Sequence, residues 1–276
     1  MIKVLSSGFA SIQDLGRFGF RQKGIPTAGV MDVDAFNLCN GILQNTENTP
    51  VIEYCKSGFS FKVTHAFSCC FVGQVEGISI NNRGVSSGKI LVLNEGDIVD
   101  TGKVKGGTFA YFGIAGEFRG KHVLGSSSVS PHVLTNDWTN FVFEPREVHS
   151  SFSSRLSPKL STDRTVAIEC DAGPEWYKLL TEVKEKIHKT SFHLSRETWR
   201  MAFKLQEKVP NDLVAISSSP VLPGTVQLTP AGDVLILMRD AQTTGGYPRI
   251  LQLTEDAINK LCRVGWGGEI KFDVYL

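Results

Sequence analysis

Val234-Leu235-Ile236-Leu237-Met238 runs straight into Arg239-Asp240-Ala241-Gln242-Thr243-Thr244-Gly245-Gly246-Tyr247-Pro248-Arg249. Five apolar residues that end abruptly in turn chemistry read as a buried strand feeding a loop. Asp240, Gln242, Thr243, Thr244, Tyr247 and Arg249 place acid, amide, hydroxyl and guanidinium groups on that loop, held by rigid strands. Gly245-Gly246 lets the backbone take positive φ, or lets another group come close. Pro248 fixes an extended exit and pushes Tyr247 towards β or polyproline geometry. A plain polar hairpin loop would be built from the same residue types, so the segment alone leaves a site and a turn both open.

Working outward, the rest of the chain reads as mainly β. Lys3 to Leu5 is a first short strand. Asp32 reads as an N-cap, with Asp34 in the first turn of a helix that runs to Leu43. Its apolar stripes are Ala35, Leu38, Ile42 and Phe36, Cys39, Leu43. From Phe59 to Ile114 short apolar runs alternate with turn clusters such as Asn81-Asn82-Arg83-Gly84 and Asn94-Glu95-Gly96-Asp97. Regular short strands with such punctuation imply a sandwich or barrel. Thr165 to Cys170 predicts another strand. Gly173-Pro174 predicts the start of a helix carrying Trp176, Leu179, Leu180, Val183 and Ile187. Thr254 predicts the cap of a last helix with Ala257, Ile258, Leu261 and Cys262 on one side, before a closing strand from Ile270 to Tyr275.

Composition narrows the function classes. The 276 residues suffice for one large domain or two ordinary ones. A formal net charge of +1 argues against nucleic acid or an anionic membrane surface as main partner. No apolar run approaches the roughly 20 residues of a membrane helix, and the first residues lack a signal-peptide core, so a cytoplasmic location is expected. Cys39, Cys55, Cys69, Cys70, Cys170 and Cys262 form no Cys-x-x-Cys pair, and none of the His residues, His132 and His149 included, has metal-ligand spacing. Buried reduced thiols are expected, with Cys69 and Cys70 on opposite faces of one strand. No phosphate loop follows any strand, so this chain alone is expected to bind neither ATP nor metal.

Three motifs carry a resemblance. Asp240-Ala241-Gln242-Thr243-Thr244-Gly245-Gly246-Tyr247-Pro248 resembles a signature of the biotin-dependent carboxyltransferase family. That family includes the second subunit of allophanate hydrolase, the C-type subunit of 5-oxoprolinase and the KipA-like regulatory antagonists. The N-terminal Ser11-Ile12-Gln13-Asp14-Leu15-Gly16-Arg17-Phe18-Gly19-Phe20, followed by Gly24-Ile25-Pro26-Thr27-Ala28-Gly29-Val30-Met31-Asp32, is similar to the family's opening blocks. A third block, Thr198-Trp199-Arg200-Met201-Ala202-Phe203-Lys204-Leu205, keeps Arg200 and Met201. It departs from the family at Trp199 for Asp, Ala202 for Gly and Lys204 for Arg.

The resemblance implies two cyclophilin-like β-barrel subdomains, 1–155 and 156–276, with the serine run 150–154 as linker and an exchange of terminal segments allowed. It implies chemistry on a small amide, imide or related carboxylate, within an ATP-dependent 5-oxoprolinase complex of which this chain is one component, inactive alone. The other branches imply the carboxyltransferase component of a biotin-dependent urea-type carboxylase, or a KipA-like binding protein. ATP would enter through a partner, a KipI-like (B-type) homologue, with an A-type homologue as a further partner. On this reading Arg17, Arg200 and Arg249 supply charge-assisted donors. Gln242, Thr243, Thr244, Gly245, Gly246 and Tyr247 bind substrate, with the Gly245-Gly246 amides as an oxyanion-type nest. Asp14, Glu53 and Asp240 are the candidate bases or orienting acids. Asp14 and Arg17 pairing on the surface, Asp32 as a mere cap and Glu53 as a solvent-facing strand residue are the plain alternatives. Blocks 13–17 and 240–249 are expected to face one cavity, and Arg17→Lys to leave stability nearly unchanged.

Overall fold

The computed structural model describes residues 1–129, 141–148 and 165–275. The chain divides into two compact units, Met1–Arg17 with Asp32–Leu160 and Phe18–Met31 with Ser161–Leu276. The boundary expected at 155/156, the serine run, His132 and His149 lie outside the described residues. The protein is mainly β with three short α-helices among the described residues. No helix there is long and apolar enough to cross a membrane.

The first unit packs two five-stranded sheets on one core. One runs in the order Ile2–Ser6, Ser60–Val63, Ile98–Asp100, Ser79–Ile80, Arg83–Gly84; the other Phe9–Gln13, Val51–Cys55, Ala110–Ile114, Phe67–Val72, Leu91–Leu93. Side chains alternate across each strand, so Ile52 and Tyr54 face the core with Ile12, Phe61, Phe71 and Phe112. Phe71 and Phe112 pack as tilted rings 4.9 Å apart between centroids, Phe61 and Phe112 at 5.2 Å. Each buried Phe contributes about 1.5–3 kcal/mol by area removed from water.

Val51, Glu53 and Cys55 therefore occupy the sheet's other face. Helix α1 (Val33–Ile42) covers part of it. Gly113 is where helix and sheet approach: a Cβ there would lie 2.6 Å from Cys39 Sγ and 2.8 Å from Leu43 Cδ1. Asp32 caps α1 as its sequence predicts, accepting from the amides of Asp34 at 3.1 Å and Ala35 at 3.2 Å. The amide of Asp32 itself donates to the Tyr111 hydroxyl at 2.8 Å. Cys69 joins the core, while Cys70 points to α1 with its sulfur 3.4 Å from that of Cys39. All six cysteines are buried, and none forms a disulfide among the described residues. Burial pushes the Cys69 thiol up and that of Cys170 up to about 12, while the hydrogen bond with Cys39, and then burial, push the Cys70 thiol up.

The second unit is a closed barrel in the order Thr165–Ala172, Arg249–Leu253, Thr225–Leu228, Val234–Leu237, Ala202–Leu205, Phe192–Thr198, Glu269–Tyr275. The ring closes where Glu269–Tyr275 pairs parallel to Thr165–Ala172. Ala202 replaces the family's glycine inside a strand, where positive φ is absent, so the methyl costs no backbone strain. Helices α2 (Thr181–Lys189) and α3 (Glu255–Cys262) pack on the outside of the barrel. Thr254 Oγ1 accepts from the Ala257 amide at 3.1 Å, and Ala257, Ile258, Leu261 and Cys262 are buried, as the periodicity predicts.

One predicted element is corrected. The helix expected from Gly173 does not start there; a short 3-10 turn, Trp176–Lys178, precedes α2, and Leu179 and Leu180 between them are extended. The cause is tertiary. The amides of Gly173 and Glu175 donate to the carbonyls of Ile250 and Arg249, at 2.8 and 3.1 Å. A Cβ on Gly173 would lie 2.3 Å from the Arg249 carbonyl oxygen. The chain is pinned edge-on to the barrel, which overrides the helical spacing of Trp176, Leu179 and Leu180.

Candidate functional site

In the second unit the strand Val234–Leu237 ends in Met238, Arg239, Asp240 and Ala241, all buried. The hairpin turn 199–201 lies against that end: the Met238 amide donates to the Met201 carbonyl at 2.9 Å and the Asp240 amide to the Arg200 carbonyl at 3.0 Å. The side chains close the same clamp. Arg200 Nε and Nη2 donate to Asp240 Oδ2 and Oδ1 at 2.8 and 2.9 Å, a bidentate fork, and Nη2 also reaches the Gly29 carbonyl at 2.7 Å. The pair is 17% and 6% exposed, so water screens it weakly. Arg200 and Asp240 are thus brought together, as an ion pair that fixes the root of the loop.

Beyond it the loop is backed by residues 216–221. Thr244–Gly245 pairs antiparallel with Ser219–Pro220, the Val221 amide donates to the Thr243 carbonyl at 3.1 Å, and the Ile216 amide to the Gly246 carbonyl at 2.9 Å. The side chains of Gln242, Thr243 and Thr244 have no hydrogen-bond partner among the described residues. Gln242 and Thr243 are half-buried, and Thr244 and Tyr247 are exposed. This is a row of donors and acceptors left open on a fixed backbone.

Of the two ends expected of the glycines, positive φ and close approach, the structure shows the second, at Gly245. Neither Gly245 nor Gly246 adopts positive φ. With Thr244–Gly245 drawn into a strand pair, the amides do not converge as a nest; that expectation is corrected. Gly245 is required by proximity: a Cβ would lie 2.5 Å from Gln227 Nε2, whereas at Gly246 the nearest atom is 3.5 Å away. Gln227 is buried in the adjoining strand and donates to the Tyr247 carbonyl at 3.4 Å.

Arg249 is committed within the barrel. Glu175 Oε2 accepts from its amide at 2.9 Å and its Nε at 3.0 Å, Glu175 Oε1 accepts from Nη2 at 2.9 Å, and Nη1 donates to the Pro220 carbonyl at 2.9 Å. In this state its donors hold the loop rather than face a ligand. The hydrogen bonds from Arg249 hold the Glu175 carboxyl below the usual range, and Glu175 raises Arg249 in return. A depressed carboxylate adds stability above its ordinary value of 4.5, and that stability is lost as pH falls through the lower folded value. Glu175→Gln will therefore flatten the acid limb of a stability-versus-pH curve while destabilising the chain at pH 7. An unchanged acid limb would refute this coupling.

The N-terminal block lies in the first unit. Asp14 is buried, and its carboxylate is saturated. Oδ1 accepts from the Gly16 amide at 2.8 Å, Ser126 Oγ at 2.6 Å and Ser128 Oγ at 2.5 Å, and Oδ2 accepts from the Ser127 amide at 2.7 Å. Gln13 Nε2 donates to Ser11 Oγ and the Val129 carbonyl, at 2.9 and 3.1 Å. Arg17 is 1% exposed, and its Nη2 donates to the Ser128 carbonyl. It is not a surface residue, so the expected indifference of stability to Arg17→Lys is corrected. Losing a buried planar fork should cost about 1–3 kcal/mol, read as a denaturation midpoint shift. Glu53 is 2% exposed in the central strand pairing, opposite Ser11 and Tyr111; it is not solvent-facing.

Blocks 13–17 and 240–249 belong to different units, and each builds its own polar cluster. Sequence reasoning missed Glu175, Gln227 and Ser126–Ser128. Ser126-Ser127-Ser128 is visible in the sequence as small polar residues, but nothing local marks it as the cradle of Asp14.

Comparison with known proteins places these features in a family. A family model described as carboxyltransferase domain, subdomain A and B, matches residues 23–274. The chain is similar to the 5-oxoprolinase C-type subunit of Escherichia coli, 26% identical, over 99% of this chain and 90% of that protein. It is similar to the 5-oxoprolinase C-type subunit of Haemophilus influenzae, 28% identical, over 99% and 91%. The fold matches the crystal structure of the K. lactis urea amidolyase with a TM-score of 0.85 at 21% identity, covering 100% of this chain but 19% of that one. Two motif-bearing units, a closed barrel and a match over nearly the whole length agree, and the chain belongs to the carboxyltransferase-domain family, subdomains A and B.

Proposed function

We propose that the protein is one component of an ATP-dependent 5-oxoprolinase, converting 5-oxoproline to glutamate together with partner chains. The observation that carries this reading is sequence similarity: the two C-type subunits of 5-oxoprolinase are 26% and 28% identical over 99% of this chain, whereas the urea amidolyase of Lachancea kluyveri aligns with 64% of it. In this reading the open side chains of Gln242, Thr243 and Thr244 bind the lactam and stabilise charge developing on its carbonyl oxygen. Arg200–Asp240 and Glu175–Arg249 hold that loop in place, which is positioning rather than bond making. Asp14 and Glu53 are the remaining acids, and the saturation of Asp14 favours an anchoring role for it.

The partners are a KipI-like (B-type) homologue and an A-type homologue, through which ATP is bound. Trp199 and Met201, 46% and 49% exposed beside Arg200, offer apolar surface to such a partner. The test is co-expression of the three chains, with 5-oxoproline-dependent ATP hydrolysis and glutamate release measured. Turnover is expected only from the assembled complex. Full turnover by this chain alone, or none from a verified complex, would overturn the reading.

A further inference from the structure

Two of the arginines expected to meet a substrate carboxylate are taken up inside the second unit. Arg200 spends its fork on Asp240, and Arg249 spends its donors on Glu175 and the Pro220 carbonyl. A different arginine stands at the loop. Arg21 lies in a short turn, Arg21–Lys23, closed by Gly24 at φ 76°, within the segment that belongs to the second unit. Its Nη2 donates to the Val221 carbonyl. The Val221 amide donates to the Thr243 carbonyl. Arg21 is thus two hydrogen bonds from the backbone of the residue whose side chain, with those of Gln242 and Thr244, stands open.

Two features mark Arg21 as incomplete. Its Nη1 is shielded from water and has no hydrogen-bond acceptor among the described residues. A buried N–H left without an acceptor costs about 1–3 kcal/mol, so such a group calls for a partner. Its charge is also uncompensated: burial lowers its pKa, and no carboxylate acts on it in the opposite direction. Arg239 makes the contrast. Its Nε and Nη2 also lack acceptors, but its Nη1 already meets the Glu255 carboxylate at 2.7 and 3.0 Å. Arg239 meets its counter-charge in place, whereas Arg21 makes no ion pair among the described residues and its one hydrogen bond goes to a carbonyl.

We infer that Arg21 binds the carboxylate of a small acid, with Nη1 as donor and the Gln242 and Thr243 side chains completing the polar contacts. This rests on the reading of the loop as the substrate site and adds the residue that selects an anion over a neutral amide. The Val221 carbonyl, by holding Nη2, orients the guanidinium and leaves Nη1 for the ligand.

The test compares two ligands by calorimetry or saturation-transfer NMR on the purified chain: 5-oxoproline, and pyrrolidin-2-one, the same lactam without the carboxylate. The wild type should bind 5-oxoproline at least about 10-fold more tightly than pyrrolidin-2-one, the scale of one charge-assisted hydrogen bond. Arg21→Gln should erase that preference and leave pyrrolidin-2-one binding unchanged. Arg21→Lys, which keeps the charge but not the fork, should retain part of it and guards against a folding defect, checked by the thermal midpoint. If Arg21→Gln binds 5-oxoproline as the wild type does, the inference falls while the proposed function stands. If the wild type binds acetate or another small carboxylate in an Arg21-dependent way but neither lactam, the inference stands and the proposed substrate falls. A wild type that binds no small carboxylate overturns the inference outright.

Discussion

Asp240→Ala will lower the stability of the protein by about 3–5 kcal/mol, read as a fall in the denaturation midpoint of the second unit. The magnitude follows from where the pair lies. Asp240 and Arg200 side chains are 6% and 17% exposed and meet through two charge-assisted hydrogen bonds of 2.8 and 2.9 Å. Removing the carboxylate leaves a largely buried guanidinium without this counter-charge, and its desolvation is no longer offset. Asp240→Asn keeps the shape and one acceptor and should cost less. Replacing both partners by apolar residues, Asp240→Leu with Arg200→Met, should recover much of the loss, because the unpaired charge is what costs most. A loss below about 1 kcal/mol for Asp240→Ala would show that water reaches Arg200 and that the pair does not anchor the loop. The same variant reads on function. If the clamp positions Gln242 to Thr244, ligand binding should weaken even at temperatures where the variant is fully folded.

The elements legible in the sequence were those whose causes are local. Asp32 and Thr254 cap helices through amides two or three residues away, so four consecutive residues contain the whole interaction. The strands between Phe59 and Ile114 were legible because turn clusters bound them and their apolar residues fill one core. The rest was hidden because its causes are remote. Arg249 was visible as a guanidinium on a polar loop, but Glu175, which takes it up, is 74 residues away. The same contact pins the backbone at Gly173 and Glu175, which is why helical spacing from Trp176 to Leu180 did not yield a helix. Gly245-Gly246 was legible as a glycine requirement but not as its reason. A near approach by Gln227 and a positive φ leave the same letter in the sequence, and only the packing separates them. Arg17 shows the same limit: its type suggested a ligand-facing cation, and its burial depends on Ser128, 111 residues away.

Asp14→Asn will destabilise the first unit by about 2–3 kcal/mol, although it changes one atom, and Asp14→Ala by about 3–5 kcal/mol. Four donors converge on this carboxylate: three on Oδ1, from Gly16, Ser126 and Ser128, and one on Oδ2, from the Ser127 amide. An asparagine must point its NH2 at one of these groups. Aimed at Oδ2's place, it faces the Ser127 N–H, a donor against a donor that the backbone cannot turn away. Aimed at Oδ1's place, it faces three. The milder orientation therefore still loses one charge-assisted bond and leaves a buried amide unsatisfied. Hydroxyls can rotate where the amide cannot, so Ser126→Ala and Ser128→Ala should each cost less, about 1 kcal/mol. The experiment also separates the two roles open to Asp14. A base held in a stable site would lose turnover on Asp14→Asn with stability intact. An anchor for residues 126–128 and the 14–17 turn loses stability first, and any loss of activity in the assembled complex should track the fraction unfolded. Equilibrium denaturation beside steady-state kinetics on the same preparations decides between them. A stable but inactive Asp14→Asn protein would return Asp14 to the chemistry.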